Sequence, residues 1–143
     1  MKKLIEMNSK IAITAYILID LICAGAGMGV PVFCILLGFP LGWYIVRREF
    51  MSTGHSPMTN SRILKLSLLA ASFTFLIMLV IWGSAIALHF DQKFDFKNFG
   101  HPFILYDPKI SFYGWLVLMI IISPFLQLLT TIFAAFITLT KRK

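Results

Sequence analysis

Residues 11–46 carry a single charged side chain, Asp20, and are interrupted near the middle by Gly25-Ala26-Gly27-Met28-Gly29-Val30-Pro31. As one helix this stretch would be about 54 Å long, nearly twice the roughly 30 Å hydrocarbon thickness of a bilayer. Two helices of about 17 residues each would just cross it. The glycine-rich break suits a close connection between them, because glycine adopts turn conformations that other residues avoid. The stretch therefore predicts a membrane hairpin.

The rest of the chain has the same character. Hydrophobic residues make up 59%, charged residues only 13%, and the mean hydropathy is +0.86. Soluble domains carry about a quarter charged residues, so the composition points away from a folded extramembrane module. Two further charge-free runs, 66–88 and 111–140, are each long enough for a tilted crossing. The expected fold is all-α: a polytopic membrane helix bundle of four transmembrane helices, at about 11–27, 30–46, 63–88 and 112–138. Residues 1–143 then form a single integral membrane domain, with connecting loops at 47–62 and 89–111.

Charge placement orients the spans, because Lys and Arg are retained on the cytoplasmic side. Lys2, Lys3 and Lys10 outweigh Glu6 in the first arm; Arg47, Arg48, Arg62 and Lys65 outweigh Glu49 in the 47–65 region; Lys141, Arg142 and Lys143 form the tail. In the 89–111 loop Lys93, Lys97 and Lys109 are balanced by Asp91, Asp95 and Asp107, so it should face outward. Both termini are expected to be cytoplasmic, in a multi-pass protein of the cell (cytoplasmic) membrane. The net charge of +7 follows from this topology and from contact with anionic headgroups, with no nucleic-acid partner implied. Lys2, Lys3, Lys10, the apolar run and Ala24-Gly25-Ala26 imitate a cleavable signal peptide, but a carboxylate within the apolar region weakens that alternative.

Helical spacing groups Ala12, Tyr16, Asp20, Cys23 or Ala24, and Gly27 on one face of the first span. Small residues let backbones approach closely in lipid, and Gly25/Gly29 and Gly38/Gly42 both have the Gly-x-x-x-Gly spacing. For the first pair the turn is the simpler reason. Pro40 should bend the second span and Ser123-Pro124 the fourth. Ser67, Ala70, Ala71 and Thr74 form a packing stripe on the third span; Ser123, Gln127, Thr130, Ala134 and Thr138 form a polar or small one on the fourth. Trp43, Tyr44, Tyr113 and Trp115 fit the interfacial belts.

Asp20 is the most informative residue, since an ionisable group within a span faces a partner, a cavity or an ion path. Counting helical rise from the turn places it near the level of Ser123. Asp20 and Tyr16 are thus expected to face Ser123 and Gln127 across the bundle, with Thr130 beside them, in a small chamber able to bind a cation or exchange a proton. These five are the candidate substrate- or ion-binding residues. The competing reading is a hydrogen-bonded Asp20 that only holds helices together, with hydroxyls such as Thr130 and Thr131 bonding back to their own backbone.

Other signals are weaker. Cys23 and Cys34 come within disulfide reach if the hairpin is tight, yet apolar-flanked cysteines usually serve as packing residues. His89, Asp91, Asp95, His101 and Asp107 match no metal-ligand spacing, and the Phe-rich loop containing them suits the headgroup boundary or a docking surface. The glycine-rich turn lacks the Lys-Ser/Thr of a phosphate-binding loop. No cofactor, metal or catalytic residue is expected. Four spans with an acidic residue in the first are similar to the arrangement of small multidrug exporters, but the longer outer loop, the tight hairpin and Asp in place of Glu depart from it, and no family is assigned. The expected function is an oligomeric transporter or channel for a small solute or ion. The alternative is an accessory or assembly subunit of a larger membrane protein.

Overall fold

A computed structural model describes residues 9–26, 32–52, 59–88 and 107–141. All regular structure among them is helical: α1 (Ser9–Ala26), α2 (Val32–Ser52), α3 (Asn60–Leu88), and a continuous rod made of α4 (Pro108–Val117), a π turn (Leu118–Ile122) and α5 (Ser123–Thr140). The Gly27–Pro31 part of the expected turn, Lys2 and Lys3, and the aromatic, His and Asp residues of the outer loop before Asp107 lie outside the described residues. Two segments, Asn60–Gly83 and Pro108–Thr140, are long and apolar enough to cross a membrane; the apolar part of α1, Ile11–Gly25, is shorter.

The helices run further than expected at their charged ends. Hydrogen bonding continues in α2 beyond residue 46 through Arg47, Arg48 and Glu49, because Glu49 reaches Arg62 of α3 in a 2.7 Å ion pair and the arginines lie over Trp43 and Tyr44 one turn back. The start of α4 is set by Asp107, whose side chain accepts from the Lys109 N–H at 2.8 Å, followed by Pro108 in the first turn.

The irregularity expected at Ser123-Pro124 is found just before it. Ser123 N–H donates to the Leu118 carbonyl, five residues back. Pro124 has no N–H to offer the carbonyl of Ile120, and its ring would press on that carbonyl in a regular α-helix. A wider turn relieves the clash without breaking the rod.

Contact pairs give the directions of the helices. Tyr16 meets Ala70 and Asp20 meets Thr74, so α1 and α3 run the same way. Trp82 stacks edge-on against Trp115, while Ile63 shares a cluster with Ala135, so α3 and the α4–α5 rod are antiparallel. Ile35 meets Thr130, and Gly42 meets Thr131 and Ala135, so α2 runs with α5. Direction therefore alternates along the chain from α1 through α2 and α3 to the α4–α5 rod.

The tightest contact is between α2 and α5. A Cβ on Gly38 would strike Thr130 Oγ1 and come within 2.7 Å of the Gln127 carbonyl oxygen; one on Gly42 would strike the Thr131 carbonyl oxygen and reach 2.9 Å from Ala134 Cβ. The second Gly-x-x-x-Gly pair is thus a helix contact, whereas Gly25 faces open space.

The interior is layered. At one end Ala24, Cys34, Met78, Phe112, Trp115 and Met119 form an apolar cluster; at the other, Val46, Ile63 and Ala135 form a second. Between them lie Asp20, Thr74, Ser123, Gln127 and Thr131, none more than 1% exposed. The outer surface is apolar, with Val80 79%, Leu69 69% and Ile22 66% exposed.

Candidate functional site

The face predicted for α1 is the one turned inward. Asp20 and Ala24 are buried, Ala12, Tyr16 and Cys23 partly so, and Ile13, Leu18 and Ile22 point outward. Asp20 Oδ2 accepts from Thr74 Oγ1 at 2.8 Å, and the Tyr16 hydroxyl lies 3.1 Å from the same Thr74 oxygen and 3.2 Å from the Ala70 carbonyl. Gln127 Nε2 donates to the Tyr16 hydroxyl at 3.2 Å.

Proton bookkeeping gives this cluster a direction. Thr74 has one hydroxyl hydrogen, and the shortest contact commits it to Asp20. Tyr16 accepts from Gln127, and its one hydrogen lies between two acceptors, the Ala70 carbonyl oxygen and Thr74 Oγ1; turned to Thr74, it completes a chain from Gln127 through Tyr16 and Thr74 to the carboxyl of Asp20. The chain joins α5, α1 and α3.

Three buried oxygens around it have no hydrogen-bond partner among the described residues: Asp20 Oδ1, Gln127 Oε1 and Ser123 Oγ. Since α1 and α5 are antiparallel and touch at Tyr16 and Gln127, one turn onward along α1 and one turn back along α5 bring Asp20 and Ser123 to a common level. Buried polar atoms of this kind are costly and are rare in folded proteins. Each leaves an acceptor in the buried layer that a water or another donor would satisfy.

Of the five residues singled out from the sequence, Asp20, Tyr16, Ser123 and Gln127 lie in this layer. Thr130 does not join them. Its hydroxyl donates to the Ile35 carbonyl of α2 at 2.8 Å and approaches the Gln127 carbonyl at 3.0 Å, because Gly38 and Gly42 draw α2 against that side of α5. Thr131 and Thr138 bond back to the carbonyls of Gln127 and Ala134. Thr74, which reads as a packing residue, is the direct partner of Asp20; its place on an inward stripe was the available signal, but nothing local identified what it faces. Cys23 and Cys34 are free thiols, with Cys34 inside the apolar cluster.

Next to this layer is a cavity of about 350 Å³, lined by α1 from Ala12 to Ile17, α2 from Leu41 to Glu49 and α3 from Leu66 to Phe73. Tyr16 borders the cavity and also belongs to the hydrogen-bond chain, so one residue connects the two features. Toward the charged end, the cavity reaches Arg48 and Glu49.

Comparison with protein-family models, curated proteins and solved structures finds no significant match to this chain.

Proposed function

We propose that the chain is a four-span integral membrane protein of the cell membrane, with both termini cytoplasmic, and that it acts as an oligomeric transporter or channel for a small solute or ion. The membrane reading is supported by the distribution of polarity: the outer surface is apolar, while the fully buried layer holds a carboxyl, an amide and several hydroxyls. In lipid, such a layer turns toward the bundle interior. Alternating helix direction and the basic residues at the ends of α2 and α5 agree with this threading.

Transport is carried by one observation, the position of Asp20. It is fully buried with one carboxyl oxygen unpartnered among the described residues, and the Thr74 hydroxyl connects the other to Tyr16, which borders the cavity. A carboxyl placed there can exchange a proton or bind a cation as water or solute arrives along the cavity. The Asp20–Thr74 bond favours a second reading, an accessory subunit in which the chain only fastens α1 to α3.

Reactivity of Asp20→Cys, in a chain whose native cysteines are replaced by alanine, separates the two. Modification by a membrane-impermeant thiol reagent in sealed vesicles would mark a water-filled path. Silence from both sides of the membrane, with normal insertion, would reject the transport reading and leave the accessory one.

A further inference from the structure

The buried layer holds more acceptors than the helices serve, and two independent features produce the excess. The first is in the side chains. Gln127 donates from Nε2 to Tyr16, and Thr74 donates to Asp20 Oδ2. Gln127 Oε1 and Asp20 Oδ1 therefore belong to planar groups whose other polar atom is tied to the same pair of hydroxyls, Tyr16 and Thr74, 3.1 Å apart. Ser123, one turn before Gln127 on the same buried stripe, lies at the level of Asp20. Its hydroxyl has no partner among the described residues, whereas Thr131 and Thr138 of the same helix bond back to the carbonyl four residues earlier.

The second feature is the π turn. In a regular α-helix the Met119 carbonyl accepts from the Ser123 N–H, and the Ile120 carbonyl accepts from the N–H of residue 124. Here the Ser123 N–H goes to Leu118, and Pro124 has none, so both carbonyls lose their helical donors. Met119 is fully buried, four residues before Ser123, and its carbonyl points along the rod toward Ser123, as helical carbonyls point toward the C-terminus. The helix defect thus adds a backbone oxygen at the level where the side-chain oxygens are already in excess.

We propose that this layer binds one monovalent metal cation, of which sodium is the type, through Asp20 Oδ1, Gln127 Oε1, Ser123 Oγ and the Met119 carbonyl oxygen. All four are oxygens, the ligands of hard cations, and carbonyls released where a membrane helix is interrupted serve this purpose. Charge decides the valence. Among the described residues no Lys, Arg or His forms an ion pair with Asp20, so a single negative charge is available, and a single positive one neutralises it. A divalent ion would leave an uncompensated charge in a layer sealed from solvent, and calcium sites draw on several carboxylates. The inference deepens the transport reading by naming its ion, and it rests on that reading only for the ion's movement, not for its binding.

The test is binding of radioactive sodium to the full chain purified in detergent, at constant ionic strength set with choline chloride. One ion per chain should bind, displaced by unlabelled sodium and not by calcium. Asp20→Asn should weaken binding by about tenfold or more, and Ser123→Ala by roughly three- to tenfold. Pro124→Ala is the decisive variant: it restores the N–H, lets the regular ladder re-form and takes both carbonyls back, so sodium binding should fall about tenfold in a chain that is at least as resistant to thermal unfolding. Thr138→Val, away from the layer, should leave binding unchanged. Absence of saturable sodium binding would overturn the proposal, as would undiminished affinity in Pro124→Ala or in Ser123→Ala with helical circular dichroism retained. The two readings fail separately. Labelling of Asp20→Cys without sodium binding to the unsubstituted chain would keep a water-filled path and reject this site, whereas sodium binding with Asp20→Cys silent from both sides would keep the site and reject transport.

Discussion

Gly42→Ala isolates the most demanding contact in the molecule. The added methyl would meet the Thr131 carbonyl oxygen, Ala134 Cβ at 2.9 Å and the Ala135 backbone nitrogen at 3.0 Å. Real Cβ atoms sit at about 3.4 Å or more from such neighbours, and two of the three atoms are backbone on a helix, so no rotamer change can make room. Relief requires α2 and α5 to separate, which weakens the dispersion contacts along their whole interface. Overpacking of this kind costs about 1–3 kcal/mol, occasionally more. Alanine recovers up to about 1 kcal/mol of helix propensity over glycine, leaving a net loss of up to about 2 kcal/mol. Gly83→Ala and Gly114→Ala provide internal controls, since neither position has anything within 4 Å of the new Cβ. These should be neutral or stabilising by up to about 1 kcal/mol. Reversible unfolding by a denaturing detergent, followed by circular dichroism, compares the three. If Gly42→Ala is as stable as the two controls, the close approach of α2 to α5 is not a determinant of this fold.

Two further outcomes follow from the buried layer. Thr74→Val removes the donor to Asp20 and the partner of Tyr16 while nearly preserving side-chain volume; the cost should be about 1–3 kcal/mol, and Thr74→Val should have a much smaller effect in an Asp20→Asn background, as a double-mutant cycle of unfolding free energies would report. Additive losses would mean that the two side chains do not interact. Cys34, 1% exposed among Met78, Trp115 and Met119, should resist aqueous thiol reagents in the folded protein and react only after denaturation; rapid labelling of the native chain would contradict its placement in the apolar cluster.

Helical structure and the apolar nature of each rod were legible in the sequence because they are local properties, set by runs of apolar residues without charges. The inward faces of α1 and α3 were legible for a related reason. On a helix with 3.6 residues per turn, Tyr16, Asp20 and Ala24, or Ser67, Ala70, Ala71 and Thr74, share one side wherever the helix is placed. Even the meeting of Tyr16 with Gln127, and the common level of Asp20 and Ser123, follow from counting helical rise between antiparallel rods of similar length.

Rotation of each helix about its axis and the choice of neighbour were decided only in three dimensions. Gly38 and Gly42 could have faced lipid or any other span; their contact with Thr130, Thr131 and Ala134 exists because α2 and α5 approach backbone to backbone, and that same approach turns Thr130 away from Asp20. Pro124 announced a defect, but the π turn that absorbs it depends on the whole rod keeping Phe112, Trp115 and Met119 in the apolar cluster. The cavity has no sequence signature at all. It is bounded by residues from three helices, and its volume is what remains where Ala12 and Ala70 are too small to close the space beside Tyr16. Periodicity specifies which side of a helix is turned inward, while shape complementarity between several helices determines what that side meets.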